Sequence, residues 1–171
     1  MNAKILDVST GKIRKAVIID AKATELPSIH DGWEFNFPSR LKELSHAIAY
    51  KLILKEEPEV LLGCLIFQMV NGTGPYIAYL ECSPENKGKN KRFDWVAGCL
   101  IAFSFKQSLI RGKGDYQGYL ELDVQEKRDI DAFKVMSNYS KKYGFKRYGL
   151  TSTMCLVDED GHKLIEKYLE H

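Results

Sequence analysis

Apolar residues follow two different rhythms along this chain, and the change comes after Cys82. Before it, short runs rich in β-branched and aromatic residues alternate with turn signals. Residues 13–19 (IRKAVII) read as a strand because Val and Ile dominate, and residues 33–37 (WEFNF) alternate aromatic with polar positions and predict another. Pro38-Ser39 opens a short helix over RLKELSH, with Ser39 as its N-cap. Three apolar runs follow, at 48–54, 60–70 and 76–82, separated by KEEPE and NGTGP. Connections this short predict an antiparallel meander, and runs apolar on both faces predict a covered central sheet.

After Cys82 the apolar positions fall at 96, 99, 100, 103 and 110, a helical stripe stopped by Gly112 and Gly114. Residues 119–124 alternate as a strand. Asp131 can cap a helix carrying Phe133, Met136, Tyr139 and Tyr143, which Gly144 ends. A hairpin over 146–157, closed by Asp160-Gly161, and a final helix over 162–171 complete the chain. A β-rich first half followed by strand–helix–strand–helix–strand is an α+β arrangement, a mixed and mostly antiparallel sheet with a crossover at its middle.

Composition changes this picture little. A chain of 171 residues fits one domain spanning 1–171 and is 44% hydrophobic and 28% charged, as globular proteins are. Its formal net charge of +2 is too small to imply a nucleic-acid-binding protein. The four cysteines, Cys64, Cys82, Cys99 and Cys155, form no Cys-x-x-Cys pair and have no histidine at metal-ligand spacing, so they read as reduced thiols and no metal is expected. The first residues lack the apolar core of a signal peptide, and no run approaches the ~20 apolar residues of a membrane span. The cytoplasm is the expected location, without membrane attachment. No Ser/His/Asp or Cys/His nucleophilic set is readable.

One stretch carries chemistry. From Glu81 the chain reads ECSPENKGKNKRFDWVAG before the helix at 96. A strand end, a loop with Lys87, Lys89, Lys91 and Arg92, and a helix N-terminus in that order make a place for a phosphorylated ligand. Free backbone N–H groups and the positive end of the helix dipole converge there.

Ser83-Pro84-x-Asn86 after a strand and Arg92-x-x-Trp95-x-Ala97 at a helix start resemble the Gcn5-related N-acetyltransferase (GNAT) superfamily, as does the Tyr139-to-Phe145 segment ending in Gly-Phe. The resemblance covers about residues 46 to 150. It implies a sheet with two splayed parallel strands, flanking helices, and acetyl-CoA as co-substrate. The pantetheine arm would lie along the strand end at Leu80, Cys82 and Ser83. The pyrophosphate would meet backbone N–H groups from Arg92 through Trp95, Val96, Ala97 and Gly98, and Asn86 is a further cofactor-binding residue. Trp95 stands where the family has its first glycine; it can still donate its N–H if its φ is negative, although it narrows the space. The implied reaction is attack of an amine on the thioester, with Tyr139 protonating the thiolate and Glu81 acting as base, directly or through water. The amine is a small molecule or peptide, its pocket formed by the first 45 residues and by residues 125–131.

Two other classes stay open. One is a CoA-binding or regulatory module that keeps the fold without turnover, which Trp95 favours. The other is a nucleic-acid or partner-binding protein using the basic loop 87–92, although only scattered aromatics flank that loop. The C-terminal strands could also pair across a homodimer.

Overall fold

The computed structural model describes residues 1–126 and 128–170; Lys127 within the expected acceptor segment and His171 at the end of the expected last helix lie outside the described residues. Among the described residues, nine strands form one sheet: β1 (Asn2–Asp7), β2 (Ile13–Asp20), β3 (Ala47–Leu54), β4 (Leu61–Val70), β5 (Gly74–Cys82), β6 (Phe93–Asp94), β7 (Tyr119–Asp123), β8 (Lys146–Arg147) and β9 (Thr153–Val157). Their spatial order is β6-β1-β2-β3-β4-β5-β7-β9-β8. Four helices flank it: α1 (Phe37–Glu43), α2 (Val96–Arg111), α3 (Asp129–Tyr143) and α4 (Asp158–Tyr168). Only β5 and β7 pair in parallel; the other pairings are antiparallel. This is the mixed, mostly antiparallel sheet expected.

The expected meander is β3-β4-β5, and its runs are apolar on both faces because both are covered. Cys64 and Ile66 of β4 pack with Trp33 and Phe37 under α1. Leu65 and Phe67 pack on the other face, with Leu100 and Phe103 of α2 and Leu164 and Tyr168 of α4. Gly63 lets α2 lie tight on β4, since a Cβ there would stand 2.8 Å from Val96 Cγ1. A side chain at this position would push the start of α2 off the sheet.

Three expectations are corrected. Residues 33–36 are a loop, not a strand, and Phe37 opens α1. Asn36, not Ser39, caps that helix: its Oδ1 accepts the Ser39 N–H at 3.3 Å. Asp160-Gly161 does not close the hairpin but lies inside α4, where a Gly161 Cβ would stand 2.3 Å from the Phe105 ring. Strands β1 and β6 have no counterpart in the sequence reading. β1 is half apolar, and β6 is two residues held by pairing of Asp94 with Leu6 and Phe93 with Asp7.

Candidate active site

The parallel pairing of β5 with β7 consists of Tyr76 with Glu121 and Ile77 with Leu122. β5 runs on to Cys82, so beyond Ile77 its edge toward β7 is unpaired and the strands fork. On its other edge β5 pairs with β4 through Cys82, with Ala78 as an extra bulged residue between Ile77 and Tyr79. The bulge resets the alternation: Ile77, Leu80 and Cys82 join the α2-side core, while Ala78 and Tyr79 join the α1 side. Glu81 therefore follows Tyr79 to the α1 face, where a strict alternation from Ile77 would have kept it on the α2 face.

A cleft of about 350 Å³ opens at the fork, within the range of small-molecule sites. Tyr76, Ile77, Ala78, Tyr79 and Leu80 line one wall, Leu122, Asp123, Val124, Gln125 and Glu126 another, and Phe35, Leu44, Gln68, Val135 and Tyr139 complete it. Its formally charged lining residues among those described are Asp123 and Glu126, both acidic. Asp123 is held firmly: Oδ2 accepts the Tyr76 hydroxyl at 3.0 Å, and Oδ1 accepts Thr153 Oγ1 at 2.6 Å and Ser152 Oγ at 3.3 Å. Tyr139 sits against Tyr143 and Phe145, with ring centroids 5.8 and 5.6 Å away. Burial, with a smaller contribution from Cys82, pushes its phenol up to about 12, so it keeps its proton at neutral pH.

Of the residues the sequence singled out, the structure brings Leu80 and Tyr139 into this cleft. Glu81 is not among the lining residues. Its carboxylate is buried and engaged: Oε1 accepts the Glu34 N–H at 2.8 Å and Lys87 Nζ at 2.6 Å, and Oε2 accepts the Phe35 N–H at 3.2 Å. A carboxylate tied by two main-chain donors and a lysine is a strut for the 33–36 loop, and it is not free to act as a base. Ser83 and Asn86 are buried as well. Asn86 Nδ2 donates to Ser83 Oγ at 2.8 Å and Asn86 Oδ1 accepts the Phe93 N–H at 2.9 Å, so the pair staples the loop before α2 and offers nothing to a ligand.

Cys82 lies between the cleft and the start of α2. Burial pushes its thiol up to about 11, against the lowering influence of Lys87 and the Ala97 N–H. Val96, Ala97 and Gly98 are first-turn residues, whose N–H groups have no intrahelical acceptor. Trp95 does not meet the condition of a negative φ. It is left-handed, with φ 75°, and its N–H is donated to Asp94 Oδ1 at 2.7 Å. This explains why a glycine suits the position: φ above zero costs a tryptophan about 1 kcal/mol or more. Its ring packs edge-on against Tyr168 at 6.0 Å. The basic loop is largely neutralised. Lys87 pairs with Glu81 and with Glu34 at 2.8 Å, Lys91 pairs with Asp94 at 2.8 Å, and Arg92 stacks on Phe93 with Glu57 3.9 Å away.

The fit of CoA therefore divides. An acyl-pantetheine arm fits the cleft, with an unpaired strand edge on one side and Tyr139 at its end. The diphosphate does not fit the start of α2 as arranged, where the Asp94 carboxylate stands and Lys87, Lys91 and Arg92 are already paired. Sequence reasoning missed Asp123, Tyr76 and Asp94, whereas Glu126 lies in the expected 125–131 acceptor segment. Asp123 had a signal, a carboxylate at the C-terminal end of a strand, the end at which parallel strands present ligand sites.

The chain matches no protein-family model and no curated protein. Solved structures do match. A point mutant of spermidine N-acetyltransferase SpeG from Vibrio cholerae aligns over 89% of this chain and 97% of that one, with TM-score 0.56 and 13% identity. A protein assigned as an acyl-CoA N-acyltransferase from Klebsiella pneumoniae aligns over 83% and 97%, with TM-score 0.50 and 15% identity. One assigned as an acetyltransferase from Exiguobacterium aligns over 86% and 97%, with TM-score 0.50 and 11% identity.

Proposed function

We propose that this chain, which has the fold of the Gcn5-related N-acetyltransferases, transfers an acetyl group from a thioester of the acetyl-CoA type to an amine. The observation that carries this reading is the fork at Tyr76–Asp123. It sets an unpaired strand edge, two carboxylates and a protonated tyrosine around one cleft.

The chemistry follows from these groups. Asp123 and Glu126 attract a cationic amine, and the aromatic walls of Phe35, Tyr76 and Tyr79 suit its carbon chain. Three hydroxyls hold the Asp123 carboxylate in one orientation. The bound ammonium first gives a proton to water, which frees its lone pair; as the nitrogen then bonds to the thioester carbonyl carbon its remaining N–H becomes acidic, and Asp123 takes that proton. A main-chain N–H on the unpaired edge of β5 stabilises the negative carbonyl oxygen. The C–S bond breaks, and the thiolate takes a proton from Tyr139 Oη, which burial keeps on the phenol. Asp123 thus replaces Glu81 as the base. The four free thiols suit a reducing compartment such as the cytoplasm. Among the described residues, no helix is long and apolar enough to cross a membrane.

The paired state of the basic loop favours a second reading, a thioester-binding module without turnover. The test incubates the protein with acetyl-CoA or S-acetyl-pantetheine and a panel of primary amines, diamines and amino-terminal peptides. Thiol release and acetylated product are measured together. Equal amounts of both are expected from at least one cationic amine. Thioester binding without product from any amine would establish the second reading, and no binding of either donor would overturn both.

A further inference from the structure

The geometry points to Asp94 as an internal anion that occupies the place of the donor's diphosphate. The chain then recognises thioester donors by their acyl-pantetheine arm and admits CoA only by expelling this carboxylate from the start of α2. The inference rests on the thioester reading above and concerns how the donor is selected.

Four independent features carry it. First, Asp94 Oδ1 accepts the Trp95 N–H at 2.7 Å and Lys91 Nζ at 2.8 Å, with Lys142 Nζ of α3 at 3.9 Å. Its carboxylate thus joins a main-chain donor at the helix start to lysines from two elements, the donor set a phosphate would use. Second, Asp94 is fixed in place. It belongs to β6 and pairs with Leu6 of β1, so its backbone is anchored by a sheet edge and does not drift with the loop. Third, the cleft does not reach this turn, since none of its lining residues falls between 81 and 121. The cleft lining stops at Leu80 and Tyr139. Cys82 and the buried Tyr143 are not part of that lining, nor is any residue of α2.

The fourth feature is an unsatisfied group at the same turn. Tyr168 is fully buried, and among the described residues its hydroxyl has no hydrogen-bond partner. Its ring end lies on Gly98, where a Cβ would stand 2.5 Å from Tyr168 Cζ. A buried hydroxyl without a partner is costly, and this one belongs to a ring packed on Gly98 of the first turn.

Charge sets the direction of the effect. A diphosphate brought to this turn meets a fixed negative charge at hydrogen-bonding range of its own ligands. It gains Lys91 and Lys142 only after that charge has left. Replacing Asp94 with asparagine keeps an oxygen acceptor for the Trp95 N–H and removes the charge.

The test titrates wild type and Asp94→Asn calorimetrically with acetyl-CoA, S-acetyl-pantetheine and inorganic pyrophosphate. A parallel pyrophosphate titration follows the Val96, Ala97 and Gly98 amides by NMR. Wild type should bind acetyl-CoA within about threefold of S-acetyl-pantetheine. Asp94→Asn should tighten acetyl-CoA at least tenfold, about 1.4 kcal/mol, leave S-acetyl-pantetheine unchanged, and make the three amides respond to pyrophosphate. An acetyl-CoA affinity that Asp94→Asn does not raise, or amides that respond equally in wild type, would overturn the inference. Failure of both thioesters on both proteins would overturn the thioester reading, while the pyrophosphate titration still decides the role of Asp94. Asp94→Ser, a shorter neutral acceptor, repeats the test should the asparagine variant fold poorly.

Discussion

The Tyr76 hydroxyl donates to Asp123 Oδ2 at 3.0 Å, across the last residues at which β5 and β7 still run together. This clasp sits at the crotch of the fork, where it sets the spacing of the strands and the aim of the carboxylate. Tyr76→Phe should therefore lower stability by about 1 kcal/mol, the usual net worth of one such bond. It should also raise the KM for the amine more than it lowers kcat, since the attraction remains while the orientation loosens. Urea unfolding and steady-state kinetics on the same preparation check both. Unchanged kinetics would remove Tyr76 from the acceptor site.

Asp123→Asn separates charge from shape. The amide keeps acceptor capacity for Thr153, so stability should change by less than about 1 kcal/mol. Turnover should fall by ~10²-fold or more, the usual contribution of a positioned general base. Full activity in Asp123→Asn would sink its assignment.

Glu81 distinguishes a strut from a base. Glu81→Ala strands two main-chain donors and Lys87 around a buried site, and should cost about 3 kcal/mol. The pH profile of the remaining activity should keep its shape. A variant as stable as wild type that has lost turnover would restore Glu81 as the base.

Tyr139 gives a pH dependence whose sign is fixed. Its folded phenol is raised to about 12, and its unfolded value is near ~10. The folded state therefore holds the proton longer. The corresponding stability is fully present below pH ~10 and is lost as pH rises from ~10 toward ~12. Tyr139→Phe should remove that share of the alkaline destabilisation and slow thiol release, with S-acetyl-pantetheine affinity little changed. Equal loss of affinity and turnover would make Tyr139 a packing residue only.

Gly98→Ala tests the contact between α2 and the C-terminal helix. The new methyl would stand 2.5 Å from Tyr168 Cζ, and in so close a packing it should cost about 1–3 kcal/mol. Tyr168→Ala in the same chain should relieve the clash but lose its own burial, so the two changes should not add. Simple additivity would show that the helices are free to shift apart.

Much of the fold is legible in residue order because it rests on local periodicity. The β3-β4-β5 runs, the α2 stripe, the alternating β7 and the Gly144 stop are each written within a few residues. Residues 33–36 misled because their alternation is real, but Trp33 is buried beneath α1 and the Glu34 and Phe35 N–H groups go to Glu81, 46 to 47 positions away. β6 is too short to carry a pattern and exists only because β1 is beside it.

The sequence by itself determined the order of the longer strands and helices apart from β1, the basic loop before α2 and Tyr139 on its helix, since these depend on neighbouring residues. Tertiary structure decided which groups face the cleft. The bulge at Ala78 turned Glu81 toward α1, the fork made Asp123 a cleft residue, and the packing of β6 against β1 set Asp94 where a phosphate was expected. Each is a relation between distant segments, fixed by backbone pairing and burial. No spacing within the chain encodes such a relation.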